Sequence, residues 1–151
     1  MFGAERAINV SVGTSHSLVL TENGNVYCFG SYSYGECYGN RYGGTVRIDW
    51  FISNRIKVAQ VSAGSRYSIV QDTNGKLYSF GNNERGQLGT RYWYTQSPME
   101  IALNATVSCG IQHVIASSNN KFFVWGSDEY GQLGNGYPLQ ILYTPVALNF
   151  S

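Results

Sequence analysis

The sequence predicts an all-β fold built from three repeated units, and three observations lead to this prediction. Charged residues make up only 13% of the chain and aromatic residues 15%, whereas about 25% charged residues is usual in soluble domains. Glycine occurs 18 times in 151 residues, a composition that favours strands and turns over helices. Three sequence landmarks then recur in a fixed order, at a period of about 50 residues.

The first landmark is a short strand pattern that ends in glycine. It occurs as Val10-Ser11-Val12-Gly13, Val61-Ser62-Ala63-Gly64 and Val107-Ser108-Cys109-Gly110. The second is an aromatic strand at 26–30, 77–81 and 122–126. The third is Gly-Gln-Leu-Gly at 86–89 and 131–134, with a degenerate copy at 35–39. We therefore place three blade units, at about 1–50, 51–97 and 98–151, within a single repeat domain.

Each unit contains a hairpin followed by a strand that is apolar on both faces. The Asn-Gly pairs at 23–24 and 74–75 favour tight hairpin turns, since both residue types adopt positive φ readily. Alternation along the next strand directs Tyr27 and Phe29 to one face, and Val26 and Cys28 to the other. Such a strand needs cover on both sides, which sheets stacked face to face like propeller blades provide.

The composite pattern resembles the repeat of the regulator of chromosome condensation, over about residues 10–143. The resemblance implies a β-propeller of four-stranded antiparallel blades, and known members usually close a ring of seven. With three repeats here, we expect a partial propeller or one that closes by oligomerisation. The end blades would each expose an apolar face, suited to a second copy or to other blades. A short open stack is the alternative.

The last segment of the chain, Thr-Pro-Val-Ala-Leu at 144–148, resembles the segment 97–101. We expect an outer strand here, and the sequence alone does not assign it to one unit. It completes the first unit if the ring closes, or it continues the third unit or stays loose.

Composition and charge exclude several classes of function. A net charge of +1 without a basic run does not predict nucleic-acid binding. No apolar run approaches the ~18 residues of a membrane helix, and no secretory signal is visible. Three cysteines without Cys-x-x-Cys spacing predict neither a disulfide scaffold nor a zinc site. We expect small buried packing roles for Cys28, Cys37 and Cys109 and an intracellular chain, cytoplasmic or nuclear, with delivery of a bacterial effector into a host cell as another possibility.

An enzyme is not expected, because no catalytic set, metal site or cofactor site is visible. His16 and His113 follow a landmark glycine by three residues, and Tyr67 holds the same place in the second unit. A repeated position spreads side chains around a ring, whereas catalysis requires them to converge. We interpret these residues as structural, with each histidine bonded to a neighbouring backbone group.

The candidate binding residues follow the third landmark in each unit. They are tyrosine, tryptophan and arginine, the types enriched at binding hot spots. The set is Arg41, Tyr42, Arg47, Trp50, Arg55, Arg91, Tyr92, Trp93, Tyr94 and Tyr137. Equivalent positions of blades emerge on one face of a propeller, so these side chains would form one surface. Packing of the same aromatic residues on the outer strands is the alternative interpretation.

We therefore expect a protein-binding module. The resemblance implies a small GTPase of the Ran or Rab type as partner, with the chain acting as exchange factor or effector. The connection from Gly35 to Gly64 is five residues longer than its counterpart from Gly86 to Gly110, and its segment 41–55 is the predicted wedge. The alternative is an inhibitor or recognition propeller that binds another protein through an aromatic-rich face and has no GTPase role.

Overall fold

A computed structural model describes residues 4–38 and 44–149 as three four-stranded antiparallel sheets. The first sheet contains β1 (Ala7–Val12), β2 (His16–Thr21), β3 (Val26–Gly30) and β4 (Val46–Arg47), and the helix α1 (Asp49–Ser53) follows it. The second contains β5 (Val58–Ala63), β6 (Tyr67–Asp72), β7 (Lys76–Asn82) and β8 (Tyr94–Asn104). The third contains β9 (Thr106–Cys109), β10 (His113–Ser118), β11 (Lys121–Ser127) and β12 (Ile141–Leu148). The predicted four-stranded blades are confirmed.

Every sheet is made of strands that are consecutive in the chain. The segment 144–148 lies in β12, where Val146 pairs with Val124 of the third sheet. The interpretation in which it completes the first unit is therefore wrong. The outer strand of the first sheet is instead β4, in which Arg47 pairs with Tyr27. The predicted unit boundary at 97–98 falls inside β8, and the chain passes from the second sheet to the third at Ala105.

The hairpin turns lie where the sequence predicts them. Gly24 and Gly75 have φ of 81° and 88°, values at which a side chain would be strained. In the third unit Asn119 and Asn120 both adopt positive φ, 49° and 64°. Two consecutive residues of this kind form a tight two-residue hairpin, so asparagine performs the role that glycine has in the other two units.

Two apolar clusters hold the three sheets together. The cluster between the first and second sheets includes Leu18, Leu20, Val26, Val61, Val70 and Phe80. The cluster between the second and third includes Tyr67, Ile69, Leu77, Leu88, Val114 and Trp125. Among the residues that the structure describes, the middle sheet is thus packed against another sheet on both faces, and each end sheet on one. This arrangement agrees with the expectation that the first and last units leave an apolar face open.

The repeated glycine of the first landmark makes room for an aromatic ring. A Cβ atom added to Gly64 would overlap the ring of Tyr67, three residues later. With the ring in that place, the Tyr67 hydroxyl lies 2.8 Å from the carbonyl oxygen of Gly110 and 3.0 Å from that of His113. The glycine therefore lets a buried side chain of one unit bond to the next unit.

The cysteines differ from the sequence-based prediction. Cys28 and Cys37 form a disulfide with their Cα atoms 5.3 Å apart, so the interpretation of both as reduced packing residues is wrong. The turn of the third landmark folds back onto the preceding strand, which brings these positions together. The same contact occurs in the second unit, where the Ser79 hydroxyl donates to the Leu88 carbonyl over 2.7 Å.

Cys109 is the free cysteine of the described residues. The residue as a whole is half-buried, and burial of its thiol raises the pKa to about 12. It packs against the second cluster, as the sequence predicts for a small apolar side chain. Among the described ranges, no helix has the length and apolar character that crossing a membrane requires.

Candidate partner-binding surface

The most exposed tryptophan of the described chain, Trp93, lies where the second unit meets both neighbours. Its side chain is 78% exposed, and that of the adjacent Tyr92 is 61% exposed. One cleft beside Trp93, of about 250 Å³, is also lined by Ser33 and Tyr34 of the first unit. A second cleft, of about 220 Å³, is also lined by Tyr143 of the third unit. We call Tyr34, Arg91, Tyr92, Trp93 and Tyr143 the aromatic ridge.

A buried asparagine fixes the central segment of the ridge. Asn83 is 1% exposed and its amide nitrogen donates to the carbonyl oxygens of Thr90, at 2.7 Å, and Tyr92. Its amide oxygen accepts from the Leu88 N–H at 2.9 Å, and its own N–H donates to the Trp93 carbonyl at 3.1 Å. A buried side chain with all these partners holds the backbone in one conformation, so Tyr92 and Trp93 project from a fixed base.

Tyr34, at the other end of the ridge, is held by an arginine of the second unit. The guanidinium carbon of Arg66 lies 4.9 Å from the Tyr34 ring centroid. Its Nη1 donates to the Tyr34 hydroxyl over 3.1 Å. These contacts join the first two units at the surface and orient the Tyr34 ring beside Trp93.

The third landmark builds the same turn in all three units. The Gln87 side-chain oxygen accepts the N–H of Arg85 at 2.9 Å, and that of Gln132 accepts the N–H of Tyr130 at 2.8 Å. In the degenerate copy the Glu36 carboxylate accepts the N–H of Tyr34 at 2.7 Å. The first unit thus keeps the turn despite its divergent sequence, because glutamate supplies the same acceptor oxygen.

The predicted wedge at 41–55 is only partly described. Arg41 and Tyr42 lie outside the described residues. Arg47 is in β4, where its Nε donates to Asp49 over 2.6 Å; this hydrogen bond raises the pKa of the Arg47 guanidinium. Trp50 is in α1 and packs edge-on against Phe51 and Tyr78, with ring centroids 5.3 and 5.9 Å apart.

The end of this connection returns to the surface of the first unit. Arg55 is exposed and has φ of 57°. The buried Phe51 and Ile48 anchor the connection to the first cluster. From residue 44 onward the connection is therefore a short strand and helix held against the core, with Arg47 and Arg55 at its surface.

Two other predicted site residues lie apart from that connection. Tyr94 begins β8, opposite Asn82 of β7. Tyr137 is exposed on the segment before β12, and its N–H donates to the Asn135 side chain over 3.1 Å. The sequence-based set omitted Tyr34 and Asn83. Their positions in the turn before the third landmark could have suggested them, since that turn faces the ridge.

The histidines form part of the joints between units. The Nε2 atom of His16 lies 2.8 Å from the Ser68 hydroxyl, which donates to the Glu36 carbonyl over 2.9 Å. The partner of His16 is thus a side chain of the next unit, not the neighbouring backbone group predicted. Burial lowers the pKa of His16. The Ser68 hydroxyl is itself buried and bonded to a carbonyl, so this trio lacks an accessible nucleophile.

No metal site emerges from the part of the chain that the structure describes, where no group of three or more His, Cys, Asp or Glu side chains is placed to hold an ion.

Three stacked four-stranded sheets with an aromatic ridge at their edge define a propeller-type repeat protein. Two sequence profiles described as the regulator of chromosome condensation (RCC1) repeat match residues 7–36 and 58–87, and residues 74–117. These matches cover more than half of the sequence, and the chain belongs to this family. The resemblance found in the sequence is confirmed.

Known relatives are similar over part of their length. Protein RCC2 homolog of Xenopus laevis is 37% identical over 83 residues, which cover 54% of this chain and 16% of that protein. The human RCC1-like G exchanging factor-like protein is 34% identical over 103 residues, or 64% of this chain and 22% of that protein. The chain thus spans less than a quarter of the length of these curated relatives.

Solved structures share the fold over nearly the whole chain. Human WBSCR16 superposes with a TM-score of 0.85 at 30% identity, covering 97% of this chain and 40% of that one. Yeast RCC1 (Prp20), solved with Kap60, gives a TM-score of 0.86 at 18% identity, covering 99% and 38%. The second likeness shows the fold alone.

Proposed function

We propose that the chain is a protein-binding module of a small-GTPase regulator and that it binds its partner through the aromatic ridge. The observation that carries this proposal is Trp93, which is 78% exposed at a place where all three units contribute side chains. Large aromatic side chains on a fixed backbone are the usual centres of binding energy in protein interfaces.

The support for binding comes from the preorganisation of the ridge. Asn83 orders residues 90–93 through three hydrogen bonds, which it donates to the carbonyl oxygens of Thr90, Tyr92 and Trp93. Ordering of the loop is therefore complete before a partner arrives, and association has less conformational entropy to overcome. Arg91 adds a cation beside the rings, which suits an acidic or carbonyl-rich partner surface.

The partner class is proposed from the relatives. By their names, one relative is an RCC1-like G exchanging factor-like protein and another is the X-linked retinitis pigmentosa GTPase regulator. The solved Prp20p structure of Saccharomyces cerevisiae is described together with its binding to Gsp1p and histones. We infer a small GTPase of the Ran or Rab type, with a location in the cytoplasm or nucleus.

Exchange activity requires only binding. A factor that binds the nucleotide-free state of a GTPase more tightly than the loaded state shifts the population toward nucleotide release. No chemistry on the nucleotide is involved. The proposal rests on the ridge and not on the whole predicted set. Arg47 lines a separate cleft with Tyr27 and Asp49. Arg55 lies three residues before Val58, whose N–H donates to the Gly24 carbonyl at the other end of β2 and β3 from Tyr34.

The test is a binding measurement against a panel of small GTPases in nucleotide-free, GDP-bound and GTP-analogue-bound states, together with release of fluorescent GDP. We expect the nucleotide-free form of at least one GTPase to bind most tightly. Trp93→Ala should weaken that binding by about 30-fold or more, the effect of removing a hot-spot tryptophan. Asn83→Asp should weaken it as well, because a buried carboxylate facing the carbonyl oxygens of Thr90 and Tyr92 is repelled and no longer fixes the backbone that carries Trp93.

The matched control is Tyr130→Ala, which removes an aromatic side chain that is 87% exposed and lines neither cleft. Its affinity should stay within about twofold of the parent. Parental affinity in Trp93→Ala would exclude the ridge as the binding site. Binding that depends on Trp93, ignores the nucleotide state and releases no GDP would favour the inhibitor or recognition alternative.

A further inference from the structure

We propose that the two open faces of the stack bind each other between copies of this chain, so that the third sheet of one copy packs on the first sheet of the next. We call the open face of the first sheet the leading face, with Val10, Val12 and Phe29. Among the described residues, the open face of the third sheet is the trailing face, with Ile115 and Val146. Strand pairing places each set on one side of its sheet.

Residues at equivalent repeat positions inside the stack indicate what each open face would pack against. Ile115 holds the repeat position of Leu18 and Ile69, and both of these are fully buried against the following sheet. Phe29 holds the position of Phe80, which is fully buried against the preceding sheet. The trailing face therefore resembles the faces through which the first and second sheets pack on the sheet that follows them. The leading face resembles the face through which the second sheet packs on the first.

The polar contacts between units repeat in the same direction. The Ser11 hydroxyl accepts the Ala63 N–H at 2.9 Å, and the Ser62 hydroxyl accepts the Cys109 N–H at 3.1 Å. The next pair in this series is Ser108 with Val12 of a second copy. The Ser108 hydroxyl on the trailing face is thus an acceptor equivalent to those of Ser11 and Ser62. The Val12 N–H on the leading face is the equivalent donor.

The repeat position of His16, Tyr67 and His113 also supports packing between copies. His16 bonds to the Ser68 hydroxyl of the next unit, and Tyr67 bonds to carbonyls of the next unit. His113 is the third member of this series, and Ser17 holds the position of Ser68 in the first unit. Contact between His113 of one copy and Ser17 of another would therefore reproduce a joint that the molecule already contains.

A second copy is the occupant that these observations favour. Each sheet has its own four strands in sequence order, so association requires only packing of faces and no exchange of strands. The contact joins two different surfaces, and such a contact either closes into a ring or extends into a chain of copies. It lies on the sheet faces, and its test uses no GTPase, so it stands or falls separately from the proposed function.

The experiment is size exclusion with light scattering on the full chain over a range of concentrations. We expect a mass that exceeds the 16.7 kDa of one copy and rises with concentration. Val12→Glu charges the leading face and Ile115→Glu the trailing face, and each should reduce the mass to one copy. Leu139→Glu, an exposed position on neither face, should leave the association unchanged, and circular dichroism should show the same fold in all variants.

A mixture of the two variants shows whether the contact joins a leading face to a trailing face. A Val12→Glu copy keeps an intact trailing face and an Ile115→Glu copy keeps an intact leading face. The mixture should therefore form a one-to-one heterodimer through one unaltered contact. A single-copy mass for the parent at every concentration would overturn the proposal. So would a parent dimer that only one of the two variants disrupts, because that result shows pairing of like faces.

Discussion

Phe29 and Phe80 occupy the same position in successive units, and the structure treats them differently. Phe80 is fully buried between the first and second sheets, whereas Phe29 is 39% exposed on the leading face. Both follow a tyrosine by two residues and precede a glycine with φ of 117°. Since local sequence and backbone are alike, the neighbouring sheet alone decides whether this ring belongs to the core or to a surface.

A repeat protein specifies its side chains unit by unit, but whether each one is buried depends on the neighbouring units of the stack. A covered position stabilises the fold, and the same position at an end becomes available for binding. The aromatic ridge follows the same rule at the edge of the sheets. Trp93 is 78% exposed between two clefts to which all three units contribute side chains, and no other described part of the chain covers it.

The largest expected effect comes from truncating the two phenylalanines. Phe80→Ala should lower the free energy of unfolding by about 3–5 kcal/mol, because it leaves a cavity between two sheets. Phe29→Ala should lower it by about 1 kcal/mol, because its partly exposed ring leaves no enclosed cavity. Urea unfolding followed by circular dichroism measures both values.

Much of the fold is predictable from the sequence because its periodic parts are local. The hairpin turns at Gly24 and Gly75, the aromatic strands and the four-stranded units all follow from residue type and spacing. The outer strands are less predictable: β4 has two residues and β8 has eleven, since the connection after the third landmark varies in each unit. Segment 144–148 could be assigned to the third sheet only from its pairing with β11.

The site is less predictable than the fold. The spacing identifies Tyr92 and Trp93 as candidate binding residues. Tyr34 lines a cleft with Trp93 because the first and second units pack together, and the sequence does not show this packing. The disulfide between Cys28 and Cys37 depends on a turn that folds back over β3, a contact that a count of cysteines does not reveal. Both examples rest on contacts between segments whose approach the stack determines.

The disulfide sharpens the comparison between units, because Ser79 and Leu88 hold the same two places in the second unit. The double variant Cys28→Ser, Cys37→Leu should lose about 2–3 kcal/mol from removal of the cross-link. A hydrogen bond like that of Ser79 should return about 1 kcal/mol. Urea unfolding with and without reductant measures the change. Reductant should lower the unfolding free energy of the parent and leave that of the variant unchanged.

Thiol counting supplies the control for that experiment. The parent chain, unfolded without reductant, should show one thiol reactive with a chromogenic disulfide, Cys109, and all three cysteines after reduction. Three reactive thiols without reductant would contradict the cross-link. Alkylation of living cells before lysis would then report which form exists at the protein's location.

The smallest expected effect concerns the two histidines, which also hold one repeat position. Burial lowers the pKa of both His16 and His113, so the unfolded chain binds protons more readily than the folded chain. Stability should be constant above about pH 6.5 and fall as the pH drops below it, by at most about 1.4 kcal/mol per pH unit for each group. His16→Gln should flatten this slope more than His113→Gln, since His16 is covered by the next unit and His113 is half-buried. Melting temperatures between pH 5 and pH 8 test this, and equal slopes would contradict it.

The role of the neighbouring sheet is tested by measuring the unfolding free energies of Phe29→Ala and Phe80→Ala side by side, in one buffer and at a concentration where the chain is a single copy. If cover by a neighbouring sheet decides the role of a repeat position, the Phe80 variant should lose at least about three times as much unfolding free energy as the Phe29 variant. Equal losses from the two variants would contradict the account, because the position itself, and not its cover, would then determine stability.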